Sequence, residues 1–119
     1  MLRLADELQQ VAARHQPTEA AVETIFMGDN RLTAIPVAQA RGVVLLVLAR
    51  LGIEVHEYQP AEVKMSITGY GKADKRQVQR MLMLRLALVE APTSDHASDA
   101  LALALTHMQL RRLNRMLRP

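Results

Sequence analysis

The chain has 119 residues, and half of them are apolar, which suits one domain with a modest core and excludes a disordered chain. It contains no cysteine, so a disulfide framework and thiol chemistry are excluded. Fifteen Lys and Arg against twelve Asp and Glu give a net charge of +3, which permits a nucleic-acid partner without requiring one.

The apolar runs are short. The longest, Val43–Ala49, is bracketed by Arg41 and Arg50 and falls far short of the ~20 residues that a membrane-spanning helix needs. Asp6 and Glu7 lie where a signal peptide would be apolar. We therefore expect a soluble, cytoplasmic protein with no membrane partner.

Helical and strand patterns alternate along the first half of the sequence, and only helical patterns follow. We predict a loop at Met27–Ile35 and place Pro36 in the first turn of the next helix. The order is αβαβααα, which indicates an α/β fold with parallel strands and flanking helices. The predicted elements are a helix at Leu2–His15, a strand at Ala20–Phe26, a helix at Pro36–Leu51, a strand at Ile53–Tyr58, and helices at Pro60–Ile67, Asp74–Val89 and Asp95–Leu117.

Glu23 is the first candidate for chemistry. It lies within an apolar strand, between Val22 and Ile25, and close to the loop that follows. Sites in α/β sheets gather at the carboxyl ends of strands, so this position favours a functional carboxylate. The alternative is a side chain that points from the sheet into solvent, which is common for a single Glu in a strand.

A second group of candidates begins the last helix. Ionisable groups where a helix enters the core are costly unless something binds them. Ser94 or Asp95 caps this helix, and capping would explain Asp95. Spacing of three and four places His96 and Asp99, or Asp95 and Asp99, on one helix face. His96 and Asp99 with Glu23 form a candidate site for Mg²⁺ or Mn²⁺, in which His96 is either a ligand or a proton carrier. The remaining histidines show no zinc-ligand spacing: His15, His56 and His107.

A basic set surrounds a Gly-Tyr-Gly turn and continues into the following helix. Its usual interpretation is a solvated helix face, and its functional interpretation is a surface for DNA phosphates. Phe26 is the only Phe in the chain, and both core packing and base stacking are open to it. The basic residues are Lys64, Lys72, Lys75, Arg76, Arg80 and Arg85.

The helix that we predict from Pro36 is apolar nearly all round. A helix of this kind is covered on more than one side. One side can face the sheet, and the other needs a partner. We therefore expect a homodimer formed through this helix.

Five sequence segments follow one another in a recognisable order: AAVETIFM (20–27), QARGV (39–43), EVHEYQPAEVK (54–64), TGYGKADKRQVQRML (68–82) and DHASDALALALTH (95–107). Together they resemble the RuvC family of Holliday-junction resolvases, and the resemblance covers almost the whole chain. It is greatest to the Thermus–Deinococcus type, in which a His fills the third active-site position.

The resemblance implies an RNase H-like fold and an endonuclease of DNA recombination and repair. Such an enzyme acts as a homodimer and makes paired, Mg²⁺-dependent nicks in a four-way DNA junction, with branch-migration motor proteins as partners. By motif, Glu23 matches the strand carboxylate of the site, and His96 and Asp99 match its helix ligands.

The resemblance also implies roles for residues outside the metal site. Phe26 matches an aromatic residue that contacts bases near the junction, and Lys64 and Lys75 match basic residues around the site. The matched dimer helix contains Gln39, Arg41 and Gly42, and we add its apolar neighbours to the expected interface, which comprises Gln39, Arg41, Gly42, Val43 and Leu46.

One departure from the family pattern concerns its first strand, which carries an Asp in a Gly-Ile-Asp-Pro-Gly-like motif and is followed by two more strands. No residue here matches that Asp. We therefore expect residues 1–119 to form a single RuvC-like nuclease domain that is N-terminally truncated by three strands and impaired in cleavage. The alternatives are a non-catalytic DNA-binding or dimerisation module, and an RNase H-like nuclease with another nucleic-acid substrate.

Overall fold

Helices and strands alternate along the first half of the chain, and three helices complete it. The computed structural model describes residues 1–24, 31–92 and 94–117. Their order is αβαβααα, as predicted. The elements are α1 (Leu2–His15), β1 (Glu19–Glu23), α2 (Arg31–Arg50), β2 (Glu54–Tyr58), α3 (Pro60–Thr68), α4 (Lys75–Arg85) and α5 (Asp95–Leu117). They divide into two units, Met1–Glu57 and Tyr58–Pro119.

The first unit packs two helices and a parallel two-stranded sheet around one apolar cluster. Helical spacing places Leu8 and Ala12 on one side of α1, where they meet the apolar side of α2. On β1, the alternate residues Ala20 and Val22 pack against the same cluster. The cluster consists of Ala12, Leu48 and Ile53, with Leu8, Ala20, Val22, Val44 and Val55 packed against it.

Helix α2 begins earlier than the sequence indicates. We predicted a loop to Ile35 and a helix from Pro36, but α2 starts at Arg31 and Pro36 lies inside it. Proline in a helix interior removes one backbone hydrogen bond. Ala34 is buried in this added turn, and tertiary packing of this kind overrides the local preference of proline for the first turn.

Helix α2 ends in a Schellman motif. Gly52 adopts a left-handed conformation with φ 71°. Its N–H donates to the Ala49 carbonyl over 3.1 Å, and the Ile53 N–H donates to the Leu48 carbonyl over 2.9 Å. Leu48 and Ile53 also meet in the apolar cluster, which is the hydrophobic contact that accompanies this motif. The chain therefore leaves α2 directed into β2.

The second unit is built from α3, α4 and α5, which pack against one another. Asp74 caps α4, because its carboxylate accepts the Gln77 N–H over 2.9 Å. Apolar residues at helical spacing supply the core. The core consists of Ile67, Leu82 and Ala102, with Val63, Val78, Met81, Leu86 and Leu105 packed against it.

Helix α4 ends at Arg85 rather than at the predicted Val89. It closes with the same motif as α2, but Ala87 takes the left-handed position with φ 53°. The Leu88 N–H donates to the Met83 carbonyl over 2.9 Å, and the Ala87 N–H donates to the Leu84 carbonyl over 3.3 Å. An alanine gives no sequence signal for this ending, because the position normally holds glycine.

None of the helices in the described segments has the length and apolar character needed to cross a bilayer.

We predict that Ala87→Gly stabilises the protein. A left-handed alanine costs roughly 1–2 kcal/mol, and the greater unfolded-state entropy of glycine offsets about 0.4–1 kcal/mol of the gain. The net increase in the free energy of unfolding should be about 0.5–1 kcal/mol, measured by urea unfolding followed by circular dichroism.

The matched control is Gly52→Ala. A Cβ at Gly52 meets no atom within 4 Å, so only the backbone conformation with φ 71° opposes the change. This variant should lose about the amount that Ala87→Gly gains. A loss of about 0.4–1 kcal/mol in Ala87→Gly would show that Ala87 bears no strain, because only the entropy of glycine in the unfolded state would then act.

Candidate functional site

Glu23 is the last residue of β1, and its side chain is exposed. Ala20 and Val22 face the apolar cluster, so period-2 alternation directs Glu23 to the opposite side of the strand. The carboxylate thus lies at the carboxyl end of a parallel strand, which is where α/β sheets place their sites. The sequence prediction of its position is confirmed, and its role stays a prediction.

His96 and Asp99 lie in the first turns of α5, and both are exposed. Ser98 and Ala102 are buried, so this face of the helix packs inward and directs His96 and Asp99 outward. We expected a burial cost at this point because the residues precede an apolar run. That expectation is wrong, since the ionisable groups occupy the solvent side of the helix.

Asp95 is not the cap of α5. The Ala97 N–H donates to the Ser94 hydroxyl over 3.1 Å, so Ser94 supplies the capping group. The Asp95 carboxylate instead accepts from Lys75 Nζ at 2.9 Å and from Gln79 Nε2 at 3.3 Å. Both partners lie on α4, and the pair joins the N-terminal turns of two helices.

The ion pair shifts both of its members. The hydrogen bond from Lys75 and the Lys75 charge lower the pKa of the Asp95 carboxyl below its ordinary 3.8. The hydrogen bond to Asp95 raises the pKa of Lys75 above 10.5, and the charges of Asp95 and Asp99 act in the same direction. The influence of Asp99 places this candidate ligand within electrostatic reach of Lys75.

The signs of these pKa shifts define the pH range in which the ion pair contributes to stability. The contribution of Asp95 is complete above pH 3.8 and is lost as the pH falls through its lowered folded pKa. The contribution of Lys75 is complete below pH 10.5 and is lost as the pH rises through its raised folded pKa. The pair is therefore charged at neutral pH.

The other basic residues differ in their surroundings. Lys72, Arg76 and Arg80 are exposed, whereas Lys64 is half-buried on α3. Arg85 donates to the Ser66 and Ile67 carbonyls over 2.8 and 3.4 Å, so its guanidinium caps the end of α3. Phe26, predicted to contact bases, lies outside the described residues.

The predicted interface residues of α2 fall into two groups. Gln39, Gly42 and Leu46 are exposed, and their spacing of three and four places them on one face. Arg41 forms an ion pair with Glu57 and lies on the flank of that face together with the half-buried Val43. The face with Gln39, Gly42 and Leu46, hereafter the open face of α2, also contains the exposed Ile35.

Two of the remaining histidines have protein partners. Within the first unit, His56 Nε2 lies 3.0 Å from Glu54 Oε1 on the same strand. Within the second unit, His107 is buried and its Nδ1 lies 2.6 Å from Tyr58 Oη. Sequence reasoning missed this buried pair, because 49 residues separate its members.

The second unit thus brings His96, Asp99, Lys75 and Asp95 into one neighbourhood, and Glu23 belongs to the first unit.

The family described as "Crossover junction endodeoxyribonuclease RuvC" matches residues 1–107. The chain belongs to this family. The family resemblance stated from the sequence is therefore confirmed.

The curated relatives include RuvC of Chloroflexus aurantiacus, which is 51% identical over 107 residues. That alignment covers 90% of this chain and 65% of the relative, so the chain spans slightly less than two thirds of that protein. RuvC of Desulfitobacterium hafniense is 46% identical over 117 residues, which cover 98% of this chain and 71% of the relative.

The solved structures give the same relationship. The Thermus thermophilus RuvC structure superimposes with a TM-score of 0.85 at 37% identity, covering 94% of this chain and 68% of that one. The same protein in complex with a Holliday junction substrate gives a TM-score of 0.87. The predicted α/β, RNase H-like fold is confirmed.

We predict that Lys75→Met raises the pKa of Asp95 toward 3.8, because the change removes the hydrogen bond and the charge that lower it. An NMR titration of the Asp95 carboxyl carbon measures this value directly. Arg76→Met is the matched control, since it removes the neighbouring exposed charge and leaves the hydrogen bond intact. If Lys75→Met leaves the Asp95 titration in place, the ion pair is absent in solution.

Proposed function

We propose that this chain is most of the nuclease domain of a Holliday-junction resolvase, which cuts four-way DNA junctions by paired nicks. The observation that carries the proposal is the family match over residues 1–107, which includes a carboxylate at a strand end and a His-Asp pair on a helix. A junction-bound RuvC among the similar structures supports the substrate. Acting on chromosomal junctions, the protein would work in the cytoplasm beside branch-migration motor proteins.

Glu23, His96 and Asp99 are the residues that would hold Mg²⁺ or Mn²⁺. Oxygen ligands suit these hard ions, and an imidazole completes the set. All three side chains are exposed, and within residues 1–24, 31–92 and 94–117 none of them makes a hydrogen bond or an ion pair. All three side chains are therefore available to bind a divalent ion. Such an ion activates water and stabilises the leaving oxygen in phosphodiester hydrolysis.

The chain's own basic residues would hold and orient the DNA. Lys75 lies beside the first turn of α5, where it can neutralise a phosphate next to His96 and Asp99. Asp95 keeps the ammonium at that place in the absence of DNA. The exposed Lys and Arg of the same region would bind phosphates farther along the strand: Lys72, Arg76 and Arg80. By resemblance, Lys64 and Phe26 would also contact the DNA.

We propose that a polypeptide of these 119 residues cuts slowly, because none of its residues matches the first Asp of the family motif. A metal site with one carboxylate fewer binds its ion more weakly and stabilises the transition state less.

Junction cleavage tests the catalytic assignment. In a version extended at its N-terminus by the Asp-bearing strand of the family and the two strands that follow it, Glu23→Gln should slow Mg²⁺-dependent nicking of a synthetic junction at least ~100-fold, because losing a metal ligand removes several kcal/mol of transition-state stabilisation. Junction affinity measured in EDTA should stay the same. The 119-residue chain should nick more slowly than the extended version.

Glu54→Gln is the matched control, because Glu54 is an exposed glutamate on β2. It should leave the nicking rate unchanged. Full activity of Glu23→Gln would remove Glu23 from the site, and fast nicking by the 119-residue chain would contradict the proposed impairment. Tight junction binding with no nicking by either version would favour a non-catalytic DNA-binding module.

We further propose that the chain forms a homodimer through the open face of α2. One side of α2 packs in the core through Val44 and Leu48, whereas Ile35 and Leu46 are 56% and 55% exposed on the other. A Cβ on Gly42 would meet no atom within 4 Å, so a second helix can approach closely there. Exposed apolar surface of this kind marks an interaction site.

Leu46→Glu should weaken the dimer at least ~10-fold, because each protomer would bury an unpaired carboxylate. Sedimentation equilibrium measures the change. Leu2→Glu is the control, since Leu2 is also exposed, at 76%, and lies on α1. Equal dissociation constants for Leu46→Glu and the unsubstituted chain would place the interface elsewhere.

A further inference from the structure

The C-terminal part of α5 is strongly basic. No Asp or Glu follows Asp99 in the sequence, and the described helix contains three arginines in its last two turns. Arg112 and Arg115 are exposed, and Arg111 is half-buried. The family match ends at residue 107, so these arginines lie outside the segment that carries the proposed catalytic residues.

The three arginines border a shallow groove of about 510 Å³. Its apolar lining comes from Leu105, Met108 and Met116. Arg112 lies between Met108 and Met116 at a spacing of four on the same helix face. The apolar stripe is therefore interrupted by a charge, which does not suit an insertion of the helix into a lipid surface. The arginine stems can cover the apolar lining while their guanidinium groups remain in solvent.

Contacts within the second unit show how α4 and α5 run. At one end Lys75 bonds to Asp95. At the other end Arg85 donates to the Ser66 carbonyl and to the Gln109 amide oxygen, and the Gln109 amide nitrogen donates to Ser66 Oγ. Helices α4 and α5 thus run in the same direction, and α4 ends near Gln109. The arginines of α5 begin within one turn of Gln109 and lie farther along the same direction.

The distance from the candidate metal ligands follows from helix geometry. Arg112 and Arg115 lie 13 and 16 residues after Asp99, which corresponds to roughly 20–24 Å along the helix axis at about 1.5 Å per residue. Duplex DNA rises about 3.4 Å per base pair. A duplex arm that followed α5 from a bond at Asp99 would therefore bring phosphates roughly 6–7 base pairs from that bond to these arginines.

We propose that Arg112 and Arg115, assisted by Arg111, bind the phosphate backbone of a DNA duplex arm, roughly 6–7 base pairs from the cleaved bond. The charge complementarity carries this choice of partner, because Arg112 and Arg115 are exposed in a segment whose sequence contains no Asp or Glu, and a guanidinium matches the geometry of a phosphate. The position relative to the cleaved bond rests on the proposed nuclease function. The binding of a duplex arm by these charges does not rest on the nuclease function.

The salt dependence of DNA binding tests the proposal. Each phosphate contact contributes about 0.9 to the slope of log affinity against log salt concentration. In EDTA, the double variant Arg112→Gln/Arg115→Gln of the full chain should reduce that slope by about 2 on a long-armed junction and on linear duplex. Arg112→Lys/Arg115→Lys should keep the slope, because the charges remain.

A charge-matched control separates local contacts from net charge. Arg3→Gln/Arg14→Gln removes two exposed arginines from α1 and should leave the slope unchanged. Because Arg112 and Arg115 are exposed, their replacement should leave the unfolding midpoint unchanged as well. An equal loss of slope in both double variants would overturn the proposal, since net charge alone would explain it.

Arm length tests the position. On a junction whose hairpin-closed arms have about 5 base pairs, the Arg112→Gln/Arg115→Gln variant should bind as well as the unsubstituted chain. With arms of about 15 base pairs it should bind less tightly. An equal deficit on both junctions would overturn the stated distance.

The outcomes distinguish this proposal from the proposed function. An unchanged slope in a variant of a chain that nicks junctions overturns only the arginine assignment. A reduced slope on linear duplex in a chain that never nicks supports the assignment and overturns the resolvase. An unchanged slope, together with lost binding to anionic lipid vesicles, would assign the arginines to a membrane surface instead. A chain that binds no DNA overturns both proposals.

Discussion

The second unit depends on the burial of one face of α5. Ser98, Ala102 and Thr106 are buried at a spacing of four, and the Thr106 hydroxyl satisfies itself by donating to the Ala102 carbonyl over 2.8 Å. Because a helix repeats every 3.6 residues, the burial of this face directs the ionisable residues before and between these positions toward solvent. His96 and Asp99 are exposed as a consequence of core packing, and no special local structure is needed to present them.

The electrostatic pattern along α5 changes from acidic at its start to basic at its end. Asp95 lies at the N-terminus, where a carboxylate also complements the helix dipole, and arginines occupy the C-terminal turns. At the acidic end, the Asp95 carboxylate accepts a hydrogen bond of 2.9 Å from Lys75 Nζ. An exposed pair of this kind contributes little to stability, so its main consequence is to hold a cation beside the candidate metal ligands.

The two Schellman endings show where sequence reasoning works and where it fails. At Gly52 the residue type itself indicates a helix end, and the predicted and observed ends of α2 differ by one residue. At Ala87 the same backbone geometry occurs without its usual residue, and the predicted helix is four residues too long. At Pro36 the predicted helix is too short instead of too long. The preference of proline for the first helical turn is a local rule, whereas the burial of Ala34 depends on tertiary packing.

The sequence alone determined the order of the elements, the apolar faces of the helices and the family, because these follow from periodicity and from short motifs read along the chain. It also located Glu23 at a strand end. Only the tertiary structure decided that Ser94 caps α5 while Asp95 pairs with Lys75, and that Tyr58 meets His107. The physical reason is that a side chain chooses its partner by distance in space. Lys75 and Asp95 are 20 residues apart, and no local pattern records their proximity.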